Sequence, residues 1–292
     1  MKASILMEGG GLRSMFTCGV IDVLMENGIH FDGAAGISAG ACFGCNLKSG
    51  QIGRGIRYNM AYIRDKRYLS LRNLIFTGNL FRTDFVYDEL PRKLDVFDCK
   101  SFEENPMEFY CGAANIETGK ICYHKVKDGG DRDMLWFRAS ASLPLVARPV
   151  EIDGKLYLDG GIIEPVPLRF MEKKGYDRNL IVLTQPESFR KGPTGNRLLL
   201  KLSLRRFPEA FKAMLLRPKR YNETIDYCRR REQEGSALIL CPPEVLPAHR
   251  LTRDPGKLWE TYEIGRRTAE EMLPRIRAFL YDGTEEKIDP IP

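Results

Sequence analysis

The chain has 292 residues, 43% of them hydrophobic, and a formal net charge of +6. This length exceeds one average domain but suits a single layered α/β domain, and the apolar fraction is sufficient for a large core. The eight cysteines are too scattered for a disulfide framework, and no basic-then-apolar leader precedes the first apolar run. The longest uncharged stretch, residues 33–47, is too short and too rich in glycine to cross a bilayer. We therefore expect a cytoplasmic protein with reduced thiols.

The first fifty residues predict two successive β-α units. Residues 4–7 form a short apolar run, and in residues 14–27 the apolar side chains recur at the spacing of a helix with one buried face. Residues 31–37 predict the next strand and residues 39–47 the next helix. Each strand ends in a glycine-rich turn, and in open α/β sheets ligands bind at these carboxyl ends. A site is therefore expected where the two turns meet.

The rest of the chain predicts further strands and helices around one sheet. Strands are expected at residues 108–115, 120–126, 150–152, 155–158, 180–183 and 238–240, and helices at residues 165–174 and 257–280. Asp153-Gly154 is a hairpin signal because both turn positions favour a positive φ. Residues 52–90 mix short helical patches with basic and aromatic residues and are expected to cover the sheet.

A Gly-x-Ser-x-Gly pentapeptide, residues 36–40, stands where the second strand passes into its helix. A sharp turn at such a junction directs the serine out of the sheet, and Gly36 and Gly40 leave room where a Cβ would clash. Ser38 then lies at a helix N-terminus, whose free N–H groups favour developing negative charge. These properties suit a nucleophile, although an isolated match to the pentapeptide is more often a compact turn.

Three consecutive glycines, Gly9, Gly10 and Gly11, connect the first strand to the first helix. Their backbone N–H groups can approach a ligand closely and would form an oxyanion hole once the pentapeptide serine attacks a carbonyl. A dinucleotide fingerprint is the competing interpretation, but it requires a third glycine where this chain has Ser14. Asp32, the candidate ribose ligand, also precedes the second strand instead of following it.

Asp159-Gly160-Gly161, which follows the predicted hairpin, is by itself a common turn sequence. Taken together with residues 8–13, 36–40 and 139–144, it makes the chain resemble the patatin-like phospholipases. This resemblance implies a serine acyl hydrolase with a Ser38–Asp159 dyad, an oxyanion hole at the glycine loop, and Arg13 either steadying that loop or facing a phosphate. The glycines that the resemblance identifies as supporting the turns are Gly36, Gly40, Gly160 and Gly161.

The histidine content bears on the choice between a dyad and a conventional triad. Of the three histidines, His30, His124 and His249, only His249 follows Asp159 in the order Ser, Asp, His of α/β-hydrolases. It stands in a loop-like segment without a supporting motif, and only one β-α unit precedes Ser38. The dyad is therefore preferred. A triad esterase using His249 is the first alternative, and a non-catalytic lipid- or nucleotide-binding protein is the second.

The expected reaction is hydrolysis of a phospholipid or another fatty-acyl ester through an acyl-enzyme, of phospholipase A, lysophospholipase or carboxylesterase type. No cofactor and no metal are expected. Cys42 and Cys45 have the spacing of a redox or zinc motif, but without a second pair or a nearby histidine they are interpreted as core residues.

No internal repeat or low-complexity linker divides the chain. The simplest architecture is one three-layer α/β/α domain over residues 1–292, with a mostly parallel central sheet. Its catalytic core is expected at about residues 1–185. Residues 186–292 would complete the same domain with a basic helical region, one strand and a long C-terminal helix.

Residues 190–231 form a strongly basic segment, with 13 Lys or Arg against three acidic residues. Interleaved leucines and phenylalanines make it amphipathic. It is therefore either a solvated helical pair or a face that contacts anionic lipid at the inner surface of the membrane. Nucleic acid is not expected as a partner because no binding motif accompanies the charge.

Overall fold

A computed structural model describes residues 1–281 of the chain. Its strands within these residues are β1 Ala3–Met7, β2 Gly33–Ile37, β3 Glu108–Asn115, β4 Lys120–Val126, β5 Val150–Ile152, β6 Lys155–Asp159, β7 Arg178–Val182 and β8 Ala237–Leu240. Its α-helices are α1 Met15–Glu26, α2 Ala39–Lys48, α3 Arg54–Tyr62, α4 Leu71–Thr77, α5 Cys99–Glu104, α6 Asp131–Ser140, α7 Leu168–Lys173, α8 Arg197–Ser203, α9 Pro208–Gln233 and α10 Pro255–Tyr281. A π-helix, Phe85–Leu94, and two short 3-10 helices, Gly11–Ser14 and Gly160–Ile162, complete the regular structure of this part.

These strands form one sheet, in the order β5-β6-β3-β2-β1-β7-β8, with β4 paired to β3 outside this path. The neighbours from β3 to β8 along this order are parallel. The strands β4, β5 and β6 pair antiparallel. The predicted α/β fold with a mostly parallel central sheet is confirmed.

Alternation of side chains along the strands assigns the helices to two faces of the sheet. Ile5 and Met7 pack in one apolar cluster with α1, α2, α6 and α10. Leu6, between them, packs in another cluster with α7 and α9. All three side chains are fully buried, as expected for a central parallel strand that helices cover on both sides.

Most predicted elements lie within a few residues of their expected ends, and β3 and β4 coincide with the prediction. The hairpin between β5 and β6 has a positive φ at both Asp153 and Gly154, 52° and 71°. Asp159 is the last residue of β6, whereas the predicted strand ends at residue 158 and Asp159 belongs to the predicted turn. Two helices, α5 and α6, were not expected from the sequence.

The segment expected to cover the sheet packs elsewhere. Residues 54–94, which hold α3, α4 and the π-helix, form an apolar cluster with residues of α1, α2 and α10 that contains no strand residue. Phe43 on α2 and Phe85 on the π-helix belong to this cluster. The segment therefore mainly covers the helix that follows Ser38, and its Tyr87 also packs against the cluster that contains strand residues.

The C-terminal region is joined to the rest of the fold by a strand and a helix. Strand β8 extends the sheet beyond β7, and α10 packs closely on α1. A Cβ on Gly265 would lie 2.1 Å from the carbonyl oxygen of Phe16, so glycine permits this close approach. We infer from these contacts that residues 186–281 complete one domain with the preceding region. The last part of the predicted domain, residues 282–292, lies outside the described residues.

Candidate functional site

Ser38 occupies the turn between β2 and α2 in a conformation that side chains rarely adopt, with φ 56° and ψ −128°. Its backbone N–H donates to the Ser140 hydroxyl oxygen at 2.8 Å. The Ser140 hydroxyl in turn donates to the carbonyl oxygen of Gly112 on β3 at 2.6 Å. The strained turn is therefore held by a buried side chain from the end of α6.

The glycines on both sides of Ser38 are required by close backbone contacts. A Cβ on Gly36 would lie 2.5 Å from the Cα of Ala41, and a Cβ on Gly40 would lie 2.3 Å from the carbonyl oxygen of Met7. Neither neighbour is a flexible side chain that could move away. The spacing of the pentapeptide therefore follows from the packing of α2 against β1 and β2.

Strand pairing brings Asp159 to Ser38. Because β4 pairs along one edge of β3, β2 and β6 share the other edge. The pairing with β2 ends at Gly112, opposite Ile37, and the pairing with β6 begins at the next residue, Ala113, opposite Asp159. The carboxyl ends of β2 and β6 therefore meet. Ser38, which follows β2, and Asp159, which ends β6, lie side by side as a result.

The Asp159 carboxyl is buried, with 2% of the residue exposed. Its Oδ1 accepts a hydrogen bond from the Gly161 N–H at 2.7 Å, and its backbone N–H donates to the Ser142 carbonyl at 2.8 Å. Burial raises the pKa of this carboxyl, while the neighbouring Ser38 side chain, the charge of Arg217 and the Gly161 N–H act in the opposite direction. A carboxylate with a raised pKa is a stronger base.

The glycine loop lies against the same turn. A Cβ on Gly9 would lie 2.7 Å from the Cβ of Ser38, so the loop backbone touches the serine. Gly11 has a φ of 58°, and a Cβ there would lie 2.6 Å from the Arg250 carbonyl oxygen. None of the N–H groups of Gly9, Gly10 and Gly11 donates to an acceptor within residues 1–281. Three consecutive backbone donors are thus free beside Ser38.

Glu8 and Arg13 flank this loop. The buried Glu8 carboxylate accepts hydrogen bonds from the N–H and the hydroxyl of Thr184, at 2.7 and 3.1 Å. The Arg13 Nε is buried and has no hydrogen-bond partner in the described part of the chain. Burial lowers the pKa of Arg13, and the charge of Glu8 acts against this effect. Arg13 therefore lies close to the loop and to the Glu8 carboxylate.

An apolar cavity of about 160 Å³ adjoins Ser38. Its wall is formed by α2, the π-helix, α6 and the loop after α6, and includes Phe43, Val86, Leu90, Phe137, Leu143 and Val146. Cys42 and Cys45 also belong to this wall, and burial raises the pKa of the Cys45 thiol to about 12. The cavity has the composition expected of a site for an apolar chain.

A second, polar recess of about 20 Å³ meets the cavity at Ser38. Its lining includes Glu8, Asp159, Lys191, Arg217, Tyr221 and Arg250. Lys191, Arg217 and Arg250 were not predicted as site residues. The first two belong to the basic segment, and no local sequence pattern distinguishes a cation that faces a cavity from one that faces solvent.

None of the three histidines lines either of these two cavities, all three being within the described residues. His249 is exposed, and its backbone N–H donates to the Thr252 hydroxyl at 2.6 Å. His124 is hydrogen-bonded to Asp133, with Nε2 and Oδ1 2.5 Å apart. His30 is exposed beyond the amino end of β2. The arrangement offers Ser38 no imidazole neighbour in residues 1–281.

The dinucleotide interpretation also lacks support in the geometry. Asp32 accepts a hydrogen bond from the Ala3 N–H at 2.7 Å, at the amino end of β1. The glycine loop follows the opposite, carboxyl end of that strand. Asp32 therefore lies at the opposite end of the strands from the glycine loop and cannot bind the ribose of a nucleotide held by that loop.

Comparison with known proteins places these features in a family. A family model described as patatin-like phospholipase matches residues 5–171, more than half of the chain, and a domain of unknown function (DUF6363) matches residues 207–281. An uncharacterized NTE family protein of Mycobacterium tuberculosis is 27% identical over 167 residues, which cover 57% of this chain and 44% of the relative. The uncharacterized protein YjjU of Escherichia coli is 27% identical over 195 residues, covering 63% of this chain and 52% of the relative.

Lysophospholipase NTE1 of Candida albicans is 28% identical over 175 residues, which cover 59% of this chain but only 12% of that protein. The matched region thus spans about half the length of the bacterial relatives and far less of the fungal one. The match to the first family model includes the glycine loop, the pentapeptide and the Asp-Gly-Gly turn. The chain therefore belongs to the patatin-like phospholipase family.

Proposed function

We propose that the protein is a lipid acyl hydrolase, of phospholipase A, lysophospholipase or carboxylesterase type, in which Ser38 and Asp159 form the catalytic dyad. One observation carries the proposal. A serine in a strained strand–helix turn meets a buried carboxyl of raised pKa at the edge of an apolar cavity. A serine nucleophile requires a base, and an acyl chain requires an apolar site.

In the first step, the Ser38 oxygen attacks the ester carbonyl while its proton passes to the Asp159 carboxylate. The carbonyl oxygen becomes an oxyanion, and the free N–H groups of Gly9 to Gly11 would stabilise it. Collapse of this intermediate breaks the bond to the alcohol, which leaves with the proton from Asp159. The acyl group remains as an ester of Ser38.

In the second step, water attacks this ester and gives its proton to Asp159. The same N–H groups stabilise the second oxyanion. Its collapse releases the fatty acid and returns the proton to the Ser38 oxygen, so the dyad is regenerated. The name of the Candida relative, lysophospholipase, is consistent with a lipid ester as substrate.

A panel of p-nitrophenyl esters and phospholipids tests the proposal directly. We expect hydrolysis of fatty-acyl esters, and we expect a fluorophosphonate probe to modify Ser38, located by mass spectrometry of peptides. Modification of a different serine, or an intact protein that cleaves no ester in the panel, would contradict the assignment.

The glycine loop makes a further prediction. Gly10 has a φ of −147°, which alanine also adopts, so Gly10→Ala should not act through backbone strain. However, the new Cβ would lie 2.7 Å from the Thr184 hydroxyl oxygen, and the loop must shift to relieve this contact. Loss of one oxyanion donor costs about 3–4 kcal/mol of transition-state stabilisation, so kcat should fall at least a hundredfold, to about 1% or less, with KM little changed.

Gly195→Ala is the matched control, because a Cβ there meets no atom within 4 Å and the residue does not have a positive φ. Its steady-state kinetics should equal those of the wild type. If Gly10→Ala keeps a normal kcat, the loop does not supply an oxyanion donor.

We also propose that part of the basic segment contacts anionic membranes. The apolar side of α8 does not pack entirely on the core, since Leu198, Leu199 and Leu202 are 71%, 46% and 59% exposed. Exposed cations at Arg197, Lys201, Arg205 and Arg206 accompany these leucines. Exposed leucines beside cations suit a lipid surface of negative charge. No helix among residues 1–281 is both long enough and apolar enough to span a bilayer.

If α8 contacts lipid, the protein should bind vesicles containing phosphatidylglycerol better than neutral ones, and added salt should weaken the binding. Reversing Arg197, Lys201, Arg205 and Arg206 to Glu should abolish the difference in a vesicle sedimentation assay. Reversing Lys93, Lys100, Lys120 and Lys155, which are also exposed, changes the net charge equally and should have a much smaller effect. Equal binding to both kinds of vesicle by the wild type would exclude this contact.

A further inference from the structure

The polar recess beside Ser38 is lined by cations from outside the region that matches the patatin-like model. Lys191 precedes α8, Arg217 lies on α9, and Arg250 lies in the loop before α10. The recess and the apolar cavity share Ser38, Gly11, Leu143 and Arg250 in their linings. A molecule with its ester at Ser38 would therefore have an apolar site and a cationic site within reach of the same ester.

Two carboxylates, Glu8 and Asp159, line the same recess and offset part of the charge of these cations without pairing with them directly. Within residues 1–281, none of Lys191, Arg217 and Arg250 forms an ion pair with an Asp or Glu at 4.0 Å or less. Arg217 donates through Nε to the Gly161 carbonyl oxygen at 2.8 Å, and the Lys191 ammonium lies 4.0 Å from the centre of the Tyr221 ring. Arg217 and Lys191 therefore each have a neutral neighbour that orients the side chain but does not compensate its charge.

Lys191, Arg217 and Arg250 lie close enough for their positive charges to repel one another. Burial, followed by the charges of Arg217 and Arg250, lowers the pKa of Lys191 to about 7. Burial, followed by the charge of Arg250, also lowers the pKa of Arg217. An anion placed between these side chains would relieve their mutual repulsion and favour their charged forms.

We propose that Lys191, Arg217 and Arg250 form a subsite for the phosphodiester of a glycerophospholipid head group. The inference rests on the proposed function, because it assigns the acyl chain to the apolar cavity and the ester to Ser38. The recess itself has space for about one water molecule. The phosphate therefore lies at its mouth, where Lys191 and Arg250 are half-buried and can contact it from the protein side.

The test compares two soluble substrates with the same acyl chain, decanoyl lysophosphatidylglycerol and monodecanoylglycerol. We expect the wild type to show a higher kcat/KM for the phosphodiester. Lys191→Gln and Arg250→Gln should each reduce the ratio of the two kcat/KM values about tenfold, because each removes a hydrogen bond to a charged group. Lys219→Gln, an exposed cation on the same helix as Arg217, should leave the ratio unchanged.

Inorganic phosphate distinguishes a lipid head group from a free anion. If phosphate modulates hydrolysis of monodecanoylglycerol through Lys191 and Arg250, and the wild type has no preference for the phosphodiester substrate, the recess is a free-anion site and the proposal is overturned. If the wild type does not prefer the phosphodiester substrate and phosphate has no effect on hydrolysis, the proposal is overturned as well.

A binding measurement separates this inference from the proposed function. Titration calorimetry with decyl phosphate and decanol, on the Ser38→Ala protein, requires no turnover. Tighter binding of decyl phosphate that is lost in the Ser38→Ala proteins carrying Lys191→Gln or Arg250→Gln supports the subsite even if no ester is cleaved. If Ser38-dependent hydrolysis is found but decyl phosphate binds no better than decanol, the hydrolase stands and the subsite fails.

The pH dependence provides a readout that a structural role of Lys191 would not produce. The charged groups that face Lys191 are Arg217 from α9, Arg250, and Glu8 and Arg13 at the glycine loop. A phosphodiester keeps one charge across neutral pH, and both substrates use the same Asp159. The ratio of kcat/KM values should therefore fall as the pH rises through about 7, where Lys191 loses its proton, and Lys191→Gln should abolish this fall.

Discussion

Ser38→Ala should lower ester hydrolysis by about five to six orders of magnitude, the usual loss when a serine hydrolase loses its nucleophile. The substitution removes only the hydroxyl group. The turn is held through the backbone N–H of residue 38 and the Ser140 hydroxyl, and both remain. The fold should therefore be unchanged by circular dichroism, and a fluorophosphonate probe should no longer label the protein.

Ser203→Ala, at an exposed serine that ends α8, is the control and should keep both activity and labelling. Because traces of host esterase can simulate residual activity, single-turnover labelling is the more reliable measurement. Activity of the purified Ser38→Ala protein above one hundredth of the wild-type value would show that another residue is the nucleophile.

The strained conformation at Ser38 makes the same position informative about stability. Ser38→Ala keeps the Cβ and thus the unfavourable φ of 56°, whereas glycine adopts this φ without strain. Such strain costs about 1–3 kcal/mol, and the extra freedom of glycine in the unfolded chain offsets about 0.5–1 kcal/mol of the relief. Urea unfolding should therefore find Ser38→Gly about 1 kcal/mol more stable than Ser38→Ala, although both are inactive.

The parts of this site that depend on local geometry could be predicted from the sequence. The turn at Ser38 follows from its two glycines, and the Asp153-Gly154 turn predicted the β5-β6 hairpin that ends at Asp159. The approach of Asp159 to Ser38 could not be derived in this way. It depends on the register of β6 against β3, next to the end of β2, which involves residues far apart in the chain.

The polar recess could not be predicted for a similar reason. Its cations come from three separate places in the chain, and the sequence gives their charge but not the direction in which they face. Arg217 illustrates the difficulty. It was counted among the cations of an amphipathic segment, yet it donates to the Gly161 carbonyl and affects the pKa of Asp159. The helix α6 was missed because its large apolar residues, at positions 134–137, are consecutive and therefore show no helical period.

Asp159→Asn should reduce activity close to the background, because the amide cannot accept the Ser38 proton. Shape is nearly conserved, and the amide oxygen can still accept the Gly161 N–H. In the wild type, kcat/KM should rise with pH through the raised pKa of Asp159 and then level, since only the ionised carboxylate acts as a base. In Asp159→Asn this dependence should disappear from any residual activity.

As the pH rises, the free energy of unfolding of the wild type should change in the direction opposite to its kcat/KM. A carboxyl whose pKa is raised by folding binds its proton more tightly in the folded than in the unfolded state, so stability falls as the pH rises from the unfolded value of about 4 through the folded one. Asn does not ionise. The free energy of unfolding of Asp159→Asn should therefore be at least that of the wild type at pH 7, and the difference should disappear below about pH 4.

His249→Ala separates the dyad from the triad esterase. Because His249 is exposed and lines neither cavity at Ser38 within the described residues, its loss should leave kcat/KM within about twofold of the wild type. A triad would lose several orders of magnitude from either substitution, since histidine carries the proton and aspartate orients it. If His249→Ala is as inactive as Asp159→Asn while both remain folded, Asp159 acts through a histidine and the dyad mechanism is wrong. If only Asp159→Asn is inactive, the carboxylate itself is the base.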